Sequence, residues 1–121
     1  MKEKDGHWYV AMIVLRFELE GEDTKNLNRR CTVYENLHLL KALTTEDAYE
    51  KAVKLGKEEV LEGHEFSDSK NRKGHWIFEG ISLFALVDGP VEDGCVLFTN
   101  EHFCSLKNAR KMICRKADLL S

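Results

Sequence analysis

The tripeptide Gly-His-Trp occurs twice, at residues 6–8 and 74–76. Each copy opens a long apolar run, His7 to Glu20 and His75 to Asp88, and each run closes on a glycine, Gly21 or Gly89. Runs of this length, rich in β-branched and aromatic residues, have the character of long β-strands. A chain with two such strands must place them in a sheet and fit its remaining elements around it. The repeat suggests a plan built from two similar halves.

The first run shows how its strand would sit. Its odd positions (Tyr9, Ala11, Ile13, Leu15, Phe17, Leu19) are all apolar, whereas its even positions turn polar at Arg16, Glu18 and Glu20. Successive strand side chains point to opposite faces, so the first half is expected to be buried on both faces and the second half to have one wet face. A polar turn over 21–28 leads to a second strand over Cys31 to Leu43, giving a hairpin with a long loop. Thr44 is a good N-cap for a helix over Thr45 to Leu61, with Asp47 at the third helical position. Ala48, Tyr49, Ala52, Val53, Leu55, Gly56 and Val60 make its apolar stripe, and Gly63 suits its C-cap.

The second half is expected to repeat this order. A polar turn over Ser67 to Gly74 precedes a third strand, Trp76 to Val87, whose apolar character predicts a central place in the sheet. Cys95 to Thr99 reads as a short fourth strand. Ser105 then caps a helix over Leu106 to Leu120, with Leu106, Ala109, Ile113, Ala117 and Leu120 on one stripe. The predicted fold class is α+β: a single domain in ββα-ββα order, with an antiparallel sheet of about four strands packed with two helices.

The chain's 121 residues suit one domain able to bury a core. No apolar run is long enough to span a bilayer, and the polar start lacks a signal-type segment, so a cytoplasmic protein is expected. Cys31, Cys95, Cys104 and Cys114 are then expected to be free, buried thiols. The cluster Cys95, His102, Cys104 and Cys114 has no standard zinc spacing, and no metal or other cofactor is predicted.

Several residues recur together in a known pattern. They are Trp8-Tyr9, Tyr34-Glu35, Thr44-x-x-Asp47-Ala48-Tyr49-x-x-Ala52-x-x-x-Gly56, Trp76-x-Phe78-x-Gly80 and Glu92-Asp93-Gly94. The set resembles a bacterial family catalogued as domain of unknown function 4288, over about residues 7–99. The resemblance implies a small cytoplasmic α+β domain and carries over no catalytic residue or cofactor. Physically, Trp8, Tyr9, Trp76 and Phe78 read as core aromatics. Ala48 and Ala52 permit close helix–sheet approach, and Gly80 permits a bulge or close packing. The segment over 105–120 reads as an added basic helix.

Charge divides the chain in the same place. Residues 1–104 hold 13 Lys or Arg against 20 Asp or Glu, a balance of −7; residues 105–121 hold five basic residues against Asp118, a balance of +4. An acidic body disfavours nucleic acid over most of its surface. There is no nucleophile elbow and no phosphate-binding glycine loop, so the chain is not expected to be an enzyme. A His7–His75 pair, if the two long strands are neighbours, or a buried Glu79 would be the acid–base candidates; Glu79 bonded to Arg16 is the structural alternative.

The expected role is a non-catalytic protein-interaction module, with an immunity protein neutralising a bacterial toxin as its most concrete form. Its candidate contact residues are the carboxylates Glu18, Glu20, Glu22 and Asp23, taken as exposed, and the basic Lys107, Arg110, Lys111, Arg115 and Lys116. The alternative is nucleic-acid or nucleotide binding through that basic helix and the 70–73 loop. One surface argument favours a protein partner. If the first helix covers one sheet face, Trp8, Val10, Met12 and Val14 need cover on the other, from the last helix, a homodimer or a foreign protein.

Overall fold

A computed structural model describes residues 6–21, 25–61, 66–67 and 73–120. The elements are β1 (His7–Leu19), β2 (Thr32–Ala42), α1 (Thr45–Leu61), β3 (Phe66–Ser67), β4 (Lys73–Leu86), α2 (Leu106–Lys111) and α3 (Lys116–Leu120). The sheet is antiparallel, in the order β2-β1-β4-β3. Three long strands carry it, and β3 adds only a two-residue rung at Lys73 and Gly74. This is the α+β single fold anticipated from the sequence, with three differences in its second half.

β1 and β4 both lie inside the sheet, as expected for β4, but only β1 has a long ladder on each side. It pairs with β2 on one side and β4 on the other, so neighbouring side chains shield both its faces; Val10, Ala11 and Ile13 are fully buried. The run Cys95 to Thr99 is not a strand: its side chains from Val96 to Thr99 are exposed and it joins no ladder. Apolar character marks a segment that seeks burial, but only a ladder partner makes it a strand. The turn at Asp88-Gly89-Pro90, and a second one closed by the Cys95 amide donating to the Glu92 carbonyl, lie between it and β4.

The expected helix over Leu106 to Leu120 is broken. Ser105 does cap α2, its hydroxyl accepting from the Asn108 amide at 3.1 Å, but α2 ends at Lys111 and α3 starts at Lys116. Neither buries a residue. A helix with no packed face rests on propensity alone, which is marginal below about 12 residues. The sheet therefore packs mainly with α1; the ββα-ββα order does recur, with β3 cut to two residues and the last helix split into α2 and α3.

The first half follows the sequence closely. The Thr44 hydroxyl accepts from the Asp47 amide at 3.1 Å, and α1 then runs over the anticipated residues. Gly63, the expected C-cap, lies outside the described residues, as do residues 68–72 of the expected turn. On α1, Ala48, Ala52 and Gly56 recur every four residues and are buried against the sheet. The core joins Ala11, Leu40 and Ala52, with Leu55, Ile81 and Phe84 packed around them. Aromatic groups close its two ends: Tyr9 stacks on Phe84, which Tyr49 meets edge-on, and Trp76 packs against Phe17 and Tyr34.

Gly80 has the bulge role its position suggested. It adopts φ of 148°, a conformation L side chains avoid, and the β1–β4 register slips on both sides of it, passing over Ser82 and Glu79.

Candidate functional site

The α1 contacts separate the two faces of the sheet. Leu40 lies in the core with Ala52, while Asn36 and His38 both reach Glu59 of α1, at 3.5 and 2.7 Å. The even positions of β2 thus face the helix. By strand alternation, Val33, Leu37 and Leu39 face the other way, with the even positions of β1. That second face carries Trp8, Val10, Met12 and Val14 from β1 and Leu83 and Ala85 from β4. Leu37 and Leu39 are 47% and 40% exposed on it. No described helix packs there.

At one end this face becomes polar. Glu18 is buried, yet it was expected to be an exposed contact carboxylate. Arg16 and Arg29 approach its Oε1 at 3.4 and 3.2 Å, and Arg16 also donates from Nε to Glu79. The second half of β1 is therefore covered by a charge network rather than wet. The Arg16 pKa is raised above its usual value, first by the hydrogen bond to Glu79 and then by the charge of Glu18, against an opposing effect of burial. Arg16, Arg29, Glu79, Leu27 and Cys31 line an open pocket of about 270 Å³. Two guanidinium groups face two carboxylates here, so the network is close to charge balance and its plain role is to cover the sheet end.

The other anticipated site residues are dispersed. Glu20 is exposed at the end of β1, while Glu22 and Asp23 lie outside the described residues. His7 and His75 do not meet: β1 and β4 are neighbours but antiparallel, so His7 pairs opposite Ala42 and His75 opposite Glu18, at opposite ends of β1. The two tryptophans of the repeat also lie on different faces. Trp76 packs with Phe17 and Tyr34 on the helix side, whereas Trp8 lies on the opposite side beneath the Lys41 ammonium. Glu79 is half exposed and bound to Arg16 rather than buried. All four cysteines are free, but Cys31, Cys104 and Cys114 are exposed and Cys95 only partly covered. Among the described residues no three His, Cys, Asp or Glu side chains gather as a metal site, and no helix is long and apolar enough to cross a membrane.

Lys107, Arg110, Lys111, Arg115 and Lys116 are all exposed, on a C-terminal arm instead of one helix. Arg115 is held by Asp118, at 3.0 Å from Nε. Sequence reading undervalued the arm's apolar side chains, because it assumed they would be packed. Leu106, Ile113, Leu119 and Leu120 are 65%, 78%, 66% and 73% exposed, and Phe103 is wholly so. Among the described residues, the apolar side chains of the arm are exposed, and on the sheet face opposite α1 so are Val33, Leu37 and Leu39 along β2, while Val10 at its centre is fully buried.

No curated protein matches the chain, and no solved structure does. The pattern of small residues on α1, paired aromatics and the Gly80 bulge falls within residues 8–99, the stretch that matches the family described as Domain of unknown function (DUF4288), and the chain belongs to that family.

Proposed function

We propose that this domain is a protein-interaction module whose contact surface combines the C-terminal arm, residues 95–120, with the sheet face opposite α1. The observation that carries the reading is that α2 and α3 bury no residue while their leucines and Ile113 face solvent. Contiguous exposed apolar surface on a soluble domain marks a contact site, and the basic groups interleaved on the arm would set orientation and rate more than affinity. Of the four carboxylates that pointed to a basic toxin, only Glu20 is an exposed described residue. The proposal therefore rests on apolar surface rather than on immunity-type charge.

The test is capture by the tagged chain from its own host's lysate, alongside an Ile113→Asp, Leu119→Asp variant. A stoichiometric protein held by the parent and lost by the variant is the expected result. Retention of nucleic acid, seen in the 260/280 nm absorbance ratio and lost steeply as salt rises, would overturn it in favour of phosphate binding by Lys107, Arg110, Lys111, Arg115 and Lys116.

A further inference from the structure

We infer that the outer edge of β2 pairs with the same edge of a second copy, antiparallel about a two-fold axis at His38, joining the two sheets into one. This contact does not involve the C-terminal arm and goes beyond the interaction reading above, so either can fail alone.

The two edges of the sheet differ. On the outer side of β4, β3 covers Lys73 and Gly74, and the register slips over Glu79 and Ser82. Bulges of this kind twist an edge away from further pairing. β2 has no such guard. It keeps one register against β1 over its 11 residues, without a proline or a bulge.

The backbone groups that face outward follow from the ladder. The Trp8 carbonyl accepts from the Val87 amide at 2.9 Å, so the backbone of Trp8 points to the β4 side. Lys41, opposite Trp8 on β2, therefore turns its own N–H and C=O to the outside, as do the alternate residues Leu39, Leu37, Glu35 and Val33. The Lys51 ammonium donating to the Lys41 carbonyl at 3.0 Å agrees, and a carbonyl has a second lone pair. Among the described residues no other strand or backbone bond reaches this edge.

Antiparallel pairing must set outward residues opposite one another, which restricts the register. Centred on His38, it sets Leu37 against Leu39, Glu35 against Lys41 and Val33 against Leu43, each twice. Those four apolar side chains are all exposed on the single chain. The neighbouring registers lack this match. Centring on Leu37 sets Glu35 against Leu39 and Val33 against Lys41; centring on Leu39 sets Leu37 against Lys41; centring on Asn36 sets Glu35 against Leu37. Opposite charges and apolar pairs placed directly across two strands stabilise them, so the sequence of β2 selects itself as partner in one register. Each copy spends the same edge, and the assembly stops at a dimer.

The experiment is light scattering after size exclusion on the full chain, at about 1 to 100 µM, for the parent, Glu35→Lys, Lys41→Glu and the chain carrying both. Circular dichroism reports the fold of each. A parent dimer is expected. Each single change sets like charges opposite one another twice and should weaken it about tenfold. The double change restores opposite charges and should bring the dimer back to within about threefold of the parent. Within one chain, residues 35 and 41 lie about 20 Å apart along a strand, so only pairing between copies yields that recovery. As concentration rises, the amides of Glu35, Leu37 and Leu39 should slow in hydrogen exchange, while those of Asn36, His38 and Leu40, held by β1, stay protected throughout.

A monomer across the whole range, or a double variant as weak as the singles, would overturn the pairing. A dimer lost in Ile113→Asp but indifferent to the charge changes would also overturn it, while supporting the arm as a contact surface.

Discussion

Gly56 of α1 stands directly against the ring of Phe78 in β4, so close that a Cβ at position 56 would overlap it. Ala48 and Ala52 precede it on the same helical face, fully buried. The three small residues set how near the helix lies to the sheet, and through that the width of the core.

Gly56→Ala should therefore destabilise the domain although alanine is the better helix former. The helix gain is about 1 kcal/mol, while forcing a methyl into a filled space costs about 1–3 kcal/mol. A net loss of about 1 kcal/mol is expected in urea denaturation. Phe78→Leu in the same chain should return part of it; losses that simply add would show that the ring is not the obstacle.

Arg16 should matter more than Glu79. Arg16→Met leaves the buried Glu18 with Arg29 as its remaining cation and is expected to cost about 2 kcal/mol. Glu79→Gln removes a half-exposed carboxylate and should cost less than about 1 kcal/mol. A guanidinium whose pKa is raised by folding stabilises the fold at every pH below its ordinary value. The Arg16 contribution should thus be flat between about pH 6 and 9, and a loss that varied across that range would point to a different partner.

The two helix caps should differ in consequence. Thr44→Ala removes the acceptor for the Asp47 amide on a helix that builds the core and should lower stability by about 1 kcal/mol. Ser105→Ala removes an equally well-formed cap from α2, which buries nothing in its own chain. Its denaturation midpoint should fall less than that of Thr44→Ala.

Glu59 serves two residues of β2, accepting from Asn36 and meeting His38 Nε2. Glu59→Ala should loosen the helix from that edge of the sheet, with a loss of about 1 kcal/mol in thermal or urea unfolding. Amide exchange should quicken in β2 before it does in β1.

Much of the first half was legible because its signals are local. Alternation in residues 8–20 marked β1 and its helix-facing side chains, and Thr44 with the Ala48, Ala52, Gly56 spacing marked α1 and its buried edge. The candidate surface was legible only as a question: Trp8, Val10, Met12 and Val14 needed cover, and nothing local said from where. Glu18 misled for a related reason. A carboxylate on a strand's polar face reads as solvated until two arginines, one from outside the strand, are brought to it.

The sequence by itself determined which side chains seek burial and with what period, because that is written in neighbouring residues. Ladder partners and long-range cover are not written there. Tertiary structure decided that β1 is the strand with a long ladder on each side, that residues 95–99 find no ladder, and that His7 and His75 end far apart along β1. It also decided that residues 106–120, Ala109 apart, remain exposed although their apolar spacing suits a packed helix. A stripe becomes a stable helix only when a surface lies against it, and among the described residues α2 and α3 bury none of theirs.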